Sequence, residues 1–105
     1  MEDNKLSKIE NQIEDIRSNK YKLHDQIEEL DYMFSKNNEV FDDIKETFND
    51  SDIKNELYDI EDELNSKQRQ LYEQLDNEEE ELSKRKRQLE NEYKELMNKR
   101  KEDKS

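Results

Sequence analysis

His24 is the only histidine in the chain, and with 31 Asp and Glu residues it supplies the candidates for chemistry. General acid–base work pairs such a group with a partner in a cleft, beside a positioned substrate. Here His24 follows Leu23, one step past an apolar seam position, and the pattern around it describes a helix surface with no cleft. Carboxylate runs stand at Glu61-Asp62-Glu63 and from Glu78 to Glu81. A calcium loop needs oxygen ligands at alternate positions around a central Gly, which neither run provides. A di-iron centre in a helical bundle needs Glu-x-x-His from two helices, and one histidine cannot supply both. No arrangement of nucleophile, base and oxyanion donors is present. The sequence therefore predicts a protein that is not an enzyme, with no catalytic residue, no metal and no cofactor.

The elements that would carry these residues follow from composition. The chain has 105 residues, of which 28% are hydrophobic and 48% charged, with no Gly, Pro, Cys or Trp. Typical domains are about 45–50% apolar and about 25% charged. Sheet proteins of this size lean on Gly and Pro for tight turns, and phosphate-cradling loops need Gly. Without Cys there is neither a disulfide framework nor a thiolate metal site. No apolar run is long enough for a membrane span or the core of a signal peptide. Low hydropathy with a net charge of −12 is the signature of disorder. The order of the apolar residues decides for long helices instead.

With Leu6 at heptad position a, the a positions are Leu6, Ile13, Lys20, Ile27, Phe34, Phe41 and Phe48. The d positions are Ile9, Ile16, Leu23, Leu30, Asn37 and Ile44. Eleven of these thirteen are apolar, where random placement gives about four; that is a coiled-coil stripe. The second half continues with Ile53, Leu57, Ile60, Leu64, Leu71, Leu75, Leu82, Leu89, Tyr93 and Leu96 at three- and four-residue steps. Lys67, Glu78 and the pair Arg85-Lys86 fill the missing steps. A four-residue shift of register between Leu71 and Leu75 is a stutter, which relaxes supercoiling without breaking a helix.

Asn49-Asp50-Ser51-Asp52 separates the stripes and is rich in N-cap residues; Asp50, Ser51 or Asp52 can accept the first free amide hydrogens of a new helix. From Phe48 to Ile53 the stripe turns by about 500°, or about 140° past a full turn, which disfavours one unbroken helix. The expected fold is all-α: a single antiparallel two-helix hairpin over 1–105, with helix one at about 4–48, a turn at 49–52 and helix two at about 53–102. Tyr21, Tyr32, Met33, Val40, Tyr58, Tyr72 and Met97 lie outside the stripes and would broaden an apolar face under a further helix. The stable unit is therefore expected to be larger than one hairpin, completed as a helical bundle by a second copy or another protein.

Residues 1–48, 49–80 and 81–105 carry net charges of −6, −9 and +3. Lys84-Arg85-Lys86-Arg87 is followed closely by Glu90, Glu92 and Glu95, so it reads as a solvated face or as salt-bridge partners. No nucleic-acid partner is expected, and no membrane insertion. Asn37 in the seam reads either as a register or partner selector or as local fraying. Phe34, Phe41 and Phe48 form an aromatic ladder nearest the turn, either plain core or partner anchors.

Phe34-x6-Phe41 before the turn, Phe48-Asn49-Asp50-Ser51 at it and Leu71-x3-Leu75-x6-Leu82-x6-Leu89 after it carry a family resemblance. The chain resembles the small WXG-type helical proteins of type VII secretion, and within them the LXG-associated α-helical proteins with a long charged second helix. No Trp-x-Gly stands at the turn; Phe48 occupies that region. Tyr58-x3-Asp62 and Tyr72-x3-Asp76 have the spacing of an export signal in related proteins but lie inside helix two. The resemblance implies a targeting chaperone that binds the helical domain of a secreted LXG effector, with a second small helical protein. Its partner-binding residues would be Phe34, Asn37, Phe41, Ile44, Phe48, Leu57, Leu64, Leu71 and Leu75. The implied location is the cytoplasm, with co-secretion alongside the effector left open and no signal peptide. The alternative is a coiled-coil adaptor or homo-oligomeric scaffold unrelated to secretion, including a homodimer. A prefoldin-like chaperone subunit would need strands between its helices, where only 49–52 is available.

Overall fold

Helix formers spaced at heptad steps, with no Gly or Pro to interrupt them, produce two long helices. A computed structural model describes residues 2–48 and 50–104. Helix α1 runs over Glu2–Thr47 and helix α2 over Ser51–Lys104. The described residues contain no strand. Helix α2 is unbroken across the register shift between Leu71 and Leu75, as a stutter requires. The fold is an all-α helical hairpin.

The reversal is built from backbone hydrogen bonds and one cap. The Phe48 amide donates to the Ile44 carbonyl at 3.0 Å, and the Thr47 hydroxyl donates to the Asp43 carbonyl at 2.8 Å. Asp50 is the N-cap of α2. Its Oδ1 accepts the Asp52 amide hydrogen at 2.9 Å and its carbonyl accepts that of Lys54 at 3.0 Å. Because Asp50 caps, α2 begins at Ser51 rather than near residue 53, and Phe48 lies beyond α1. Asn49 lies outside the described residues. No described residue has a left-handed backbone, so the turn is made without the conformation that favours Gly.

The chain divides into two units. The first comprises residues 1–23 and 77–105. Ile9, Ile16 and Leu89 form its core cluster, with Ile13, Leu82, Tyr93 and Leu96 packed against them. Leu6 and Leu23 are buried in it too, and Leu89 is only 1% exposed. The second unit comprises His24–Asp76. Leu75 is its one buried apolar residue among those described. Ile27, Leu30, Phe34, Phe41, Ile44, Leu57 and Leu71 in this unit are half-buried. Asp31 meets Tyr72 and Lys45 meets Glu61, so α1 and α2 run antiparallel here.

The α1 stripe holds from Leu6 to Ile44, where every a and d position is buried or half-buried except Asn37; its last expected member, Phe48, lies beyond α1 and is exposed. Helix α2 departs from the expected stripe. Ile53 is 37% and Ile60 48% exposed, whereas Glu61, Gln68 and Tyr72 are half-buried. The Lys45–Glu61 ion pair and the contacts of Tyr72 with α1 draw that side of α2 inward and leave the isoleucine side out.

Burial ranks the side chains by cost of truncation. Leu89→Ala is expected to destabilise the protein by about 2–5 kcal/mol, the range for an enclosed Leu. Ile60→Ala is expected to stay within about 0.5 kcal/mol, as for exposed positions. Urea unfolding followed by circular dichroism measures both, and equal losses would contradict the burial pattern.

Candidate interaction surface

A seam between two helices has two flanks, and in α1 these are the residues just after d and just before a. Asp31 and Lys45 follow the seam residues Leu30 and Ile44, and both contact α2. The Tyr72 hydroxyl donates to Asp31, and its ring lies against Phe34 with centroids 5.9 Å apart at 53°. Lys45 pairs with Glu61, both side chains about one-fifth exposed, and its ammonium lies 4.7 Å from the centre of the Tyr58 ring. In the first unit Glu10 occupies the equivalent position after Ile9, and accepts the Tyr93 hydroxyl proton at 2.9 Å. One flank is thus closed by polar contacts between the helices.

These contacts tune the groups that make them. The hydrogen bond to Asp31, desolvation and the Asp31 charge hold the Tyr72 hydroxyl above its ordinary value of 10.0. The hydrogen bond to Glu10 does the same for Tyr93, helped by the Glu10 charge. The hydrogen bond to Glu61 raises the Lys45 ammonium above 10.5.

After Lys5, the other flank of α1 reads Gln12, Asn19, Gln26, Met33, Val40 and Thr47, a stretch with no charge. In the second unit Met33 is 57% and Val40 55% exposed. Helix α2 adds its own residues to that side. With Leu57 facing α1, Glu61 stands about 40° to one side, and Ile60 and Ile53 about 60° and 40° to the other. Leu64, 38% exposed, leans the same way as the isoleucines. Met33, Val40, Ile53, Ile60 and Leu64 therefore lie on the open flank.

The residues expected to bind a partner divide by burial. Leu75 is covered within the chain, and Phe34, Phe41, Ile44, Leu57 and Leu71 are half-buried. Asn37, Phe48 and Leu64 are exposed. Tyr72 and Tyr93, which join the helices, were not singled out for that role by the sequence; their 21-residue spacing, three heptads, is the signal that marks them. Met33 and Val40 are marked by the uncharged stretch.

Among the described residues no group of three or more His, Cys, Asp and Glu is placed to hold a metal ion, and no helix is long and apolar enough to cross a membrane. The geometry defines a two-helix hairpin whose helices are joined along one flank of their seam by polar contacts. The chain belongs to the family described as protein of unknown function (DUF3958), whose model matches residues 2–102. No curated protein and no solved structure matches it.

The raised tyrosine and lysine values fix the sign of the alkaline response. Each of these groups is held in its protonated form by the fold, so its contribution is complete below its ordinary value and is lost as pH rises through the raised one. The melting temperature is expected to fall as pH rises past about 10. The double variant Tyr72→Phe with Tyr93→Phe melts lower at neutral pH and shows a shallower alkaline fall. Parallel curves for the two proteins between pH 9 and 11 would refute the assigned hydrogen bonds.

Proposed function

We propose that this protein is a non-enzymatic helical partner, a targeting chaperone that binds the helical domain of a type VII secretion effector together with a second small helical protein. One observation carries the reading. Eight of the nine large apolar side chains exposed among the described residues lie in His24–Asp76: Tyr32, Met33, Val40, Phe48, Ile53, Tyr58, Ile60 and Leu64. Apolar side chains gathered on one part of a small, strongly charged protein mark a binding surface. A helical bundle is the natural way to cover them, because a partner helix meets side chains at three- and four-residue steps. The resemblance of the aromatic ladder, the turn and the second-helix leucines to the LXG-associated proteins supplies the kind of partner.

In this role Phe48, at the end of the ladder and 45% exposed, is an anchor for the effector domain. Phe41 is half-buried and supports it from within α1. The protein would meet its effector in the cytoplasm before export.

Co-expression with LXG-type helical domains from the source genome, with and without a second short helical protein, tests the proposal. The expected result is a stoichiometric complex that Phe41→Ala and Phe48→Ala each weaken by about tenfold, or about 1.4 kcal/mol. No complex with any such domain, beside a stable homodimer of the chain alone, would move the assignment to a homo-oligomeric scaffold.

A further inference from the structure

The two units differ in charge as sharply as in burial. Residues 1–23 and 77–105 together carry 14 acidic and 14 basic side chains, a net charge of zero. His24–Asp76 carries 17 acidic and 5 basic, and hence the whole formal charge of −12. In the neutral unit a surface groove is bordered by Lys5, Lys8, Lys99, Glu92 and Glu95 beside Ile9 and Leu96, with both signs represented. In the acidic unit the open flank is apolar and its border is mostly of one sign. Glu29 lies one turn before Met33, and Asp43 about one turn beyond Val40. Glu56 and Glu63 stand one turn before and after Ile60. The cations at this border are Lys36 and Lys67, and Lys36 is already paired with Glu39 at 3.5 Å. A shallow depression beside Met33 and Tyr32 is rimmed by Asp25, Glu28 and Glu29.

We infer that the flank formed by Met33, Val40, Ile53, Ile60 and Leu64 is the docking surface for an amphipathic helix of another protein, one whose apolar stripe is bordered by Lys or Arg. The apolar residues supply the surface to be covered, and the acidic border selects the partner. A second copy of the same unit would bring its own net charge of −12 within a Debye length, about 8 Å at physiological salt, of this one. Like charges brought together in this way exclude wrong partners, and opposite charges steer the right one. The inference rests on the partner role proposed above and names the chemistry of the partner and the side it occupies.

The test uses the full chain and three synthetic helices of about four heptads. One has Leu at the seam with Lys on both flanks, the second the same Leu seam with Glu flanks, and the third the Lys flanks with Ser in place of Leu. The Leu–Lys helix is expected to bind about tenfold or more tightly than either of the others. Val40→Glu with Ile60→Glu removes that preference, whereas Tyr21→Glu leaves it intact. Glu56→Lys with Glu63→Lys shifts it towards the Glu-flanked helix. Circular dichroism confirms that each variant keeps its helicity, as exposed positions allow. Equal binding of the Ser helix would mean charge attraction alone, and equal binding of the Glu-flanked helix would mean that the border selects nothing; either overturns the inference. So does self-association of the chain that Val40→Glu with Ile60→Glu abolishes, since the occupant is then a second copy. The synthetic helices contain no effector sequence. Lost preference with an intact effector complex overturns the flank assignment alone, and retained preference without an effector complex overturns the secretion role alone.

Discussion

Two helices can cover only one face of each other, and this constraint organises everything else in the protein. A seam of a and d residues hides about two positions in seven, leaving the residues on either flank to be dealt with separately. Here one flank is closed by polar contacts: Tyr72 to Asp31 and Lys45 to Glu61 in the acidic unit, Tyr93 to Glu10 in the neutral one. Closing that side turns Glu61 and Tyr72 towards α1 and turns Ile53 and Ile60 away from it. The exposed isoleucines are thus the geometric counterpart of the ion pair, because a side chain about 100° further round the helix cannot face the same neighbour.

Burial and charge then reinforce each other. The neutral unit holds Leu6, Ile9, Ile16, Leu23 and Leu89 in its interior and balances its charges. The acidic unit holds Leu75 inside and leaves Met33, Val40, Ile53, Ile60 and Leu64 on its surface. Repulsion among its 17 acidic side chains opposes its compact state, and it has less apolar burial to set against that. An opposite-charged apolar helix would relieve both conditions at once. This is the physical content of the proposed partner role.

Periodicity made the fold legible, because heptad spacing is a property of one helix at a time. Leu6, Ile9, Ile16 and Leu23 are legible as core from their spacing alone, and the polar cluster at 49–52 marks the neighbourhood of the reversal, although Ser51 and Asp52 belong to α2. The cap itself was readable only to within three residues, since Asp50, Ser51 and Asp52 can all accept amide hydrogens. The flanks were not legible. Ile60 and Glu61 lie on opposite sides of Leu57; the stripe places Ile60 in the seam, yet Ile60 is exposed and Glu61 is half-buried. Pairing Glu61 with Lys45 decides it, and that pairing depends on the register between two helices. The charge pattern was likewise regrouped by the fold: cut along the chain, the acids Glu78, Glu79 and Glu80 belong with the acidic middle, whereas in space they join Lys84-Arg85-Lys86-Arg87 in the neutral unit.

That regrouping matters for how a partner would find its place. Long-range attraction acts on the summed charge within a Debye length, not on single residues. The basic run from Lys84 to Arg87, which in isolation suggests contacts with polyanions, is offset by Glu78 to Glu81, Glu90, Glu92 and Glu95 in its own unit. The acidic unit has no such offset, and its field is the one a charged partner would feel first. Electrostatics chiefly sets the encounter rate and the choice of partner, while the tightness of the complex rests on apolar side chains brought into close packing. In His24–Asp76 the two requirements coincide on one flank. The uncharged stretch of α1 and the isoleucine side of α2 supply the packing surface, and Glu29, Asp43, Glu56 and Glu63 border it. A partner lacking either the apolar stripe or the basic border would satisfy only half of what that flank offers.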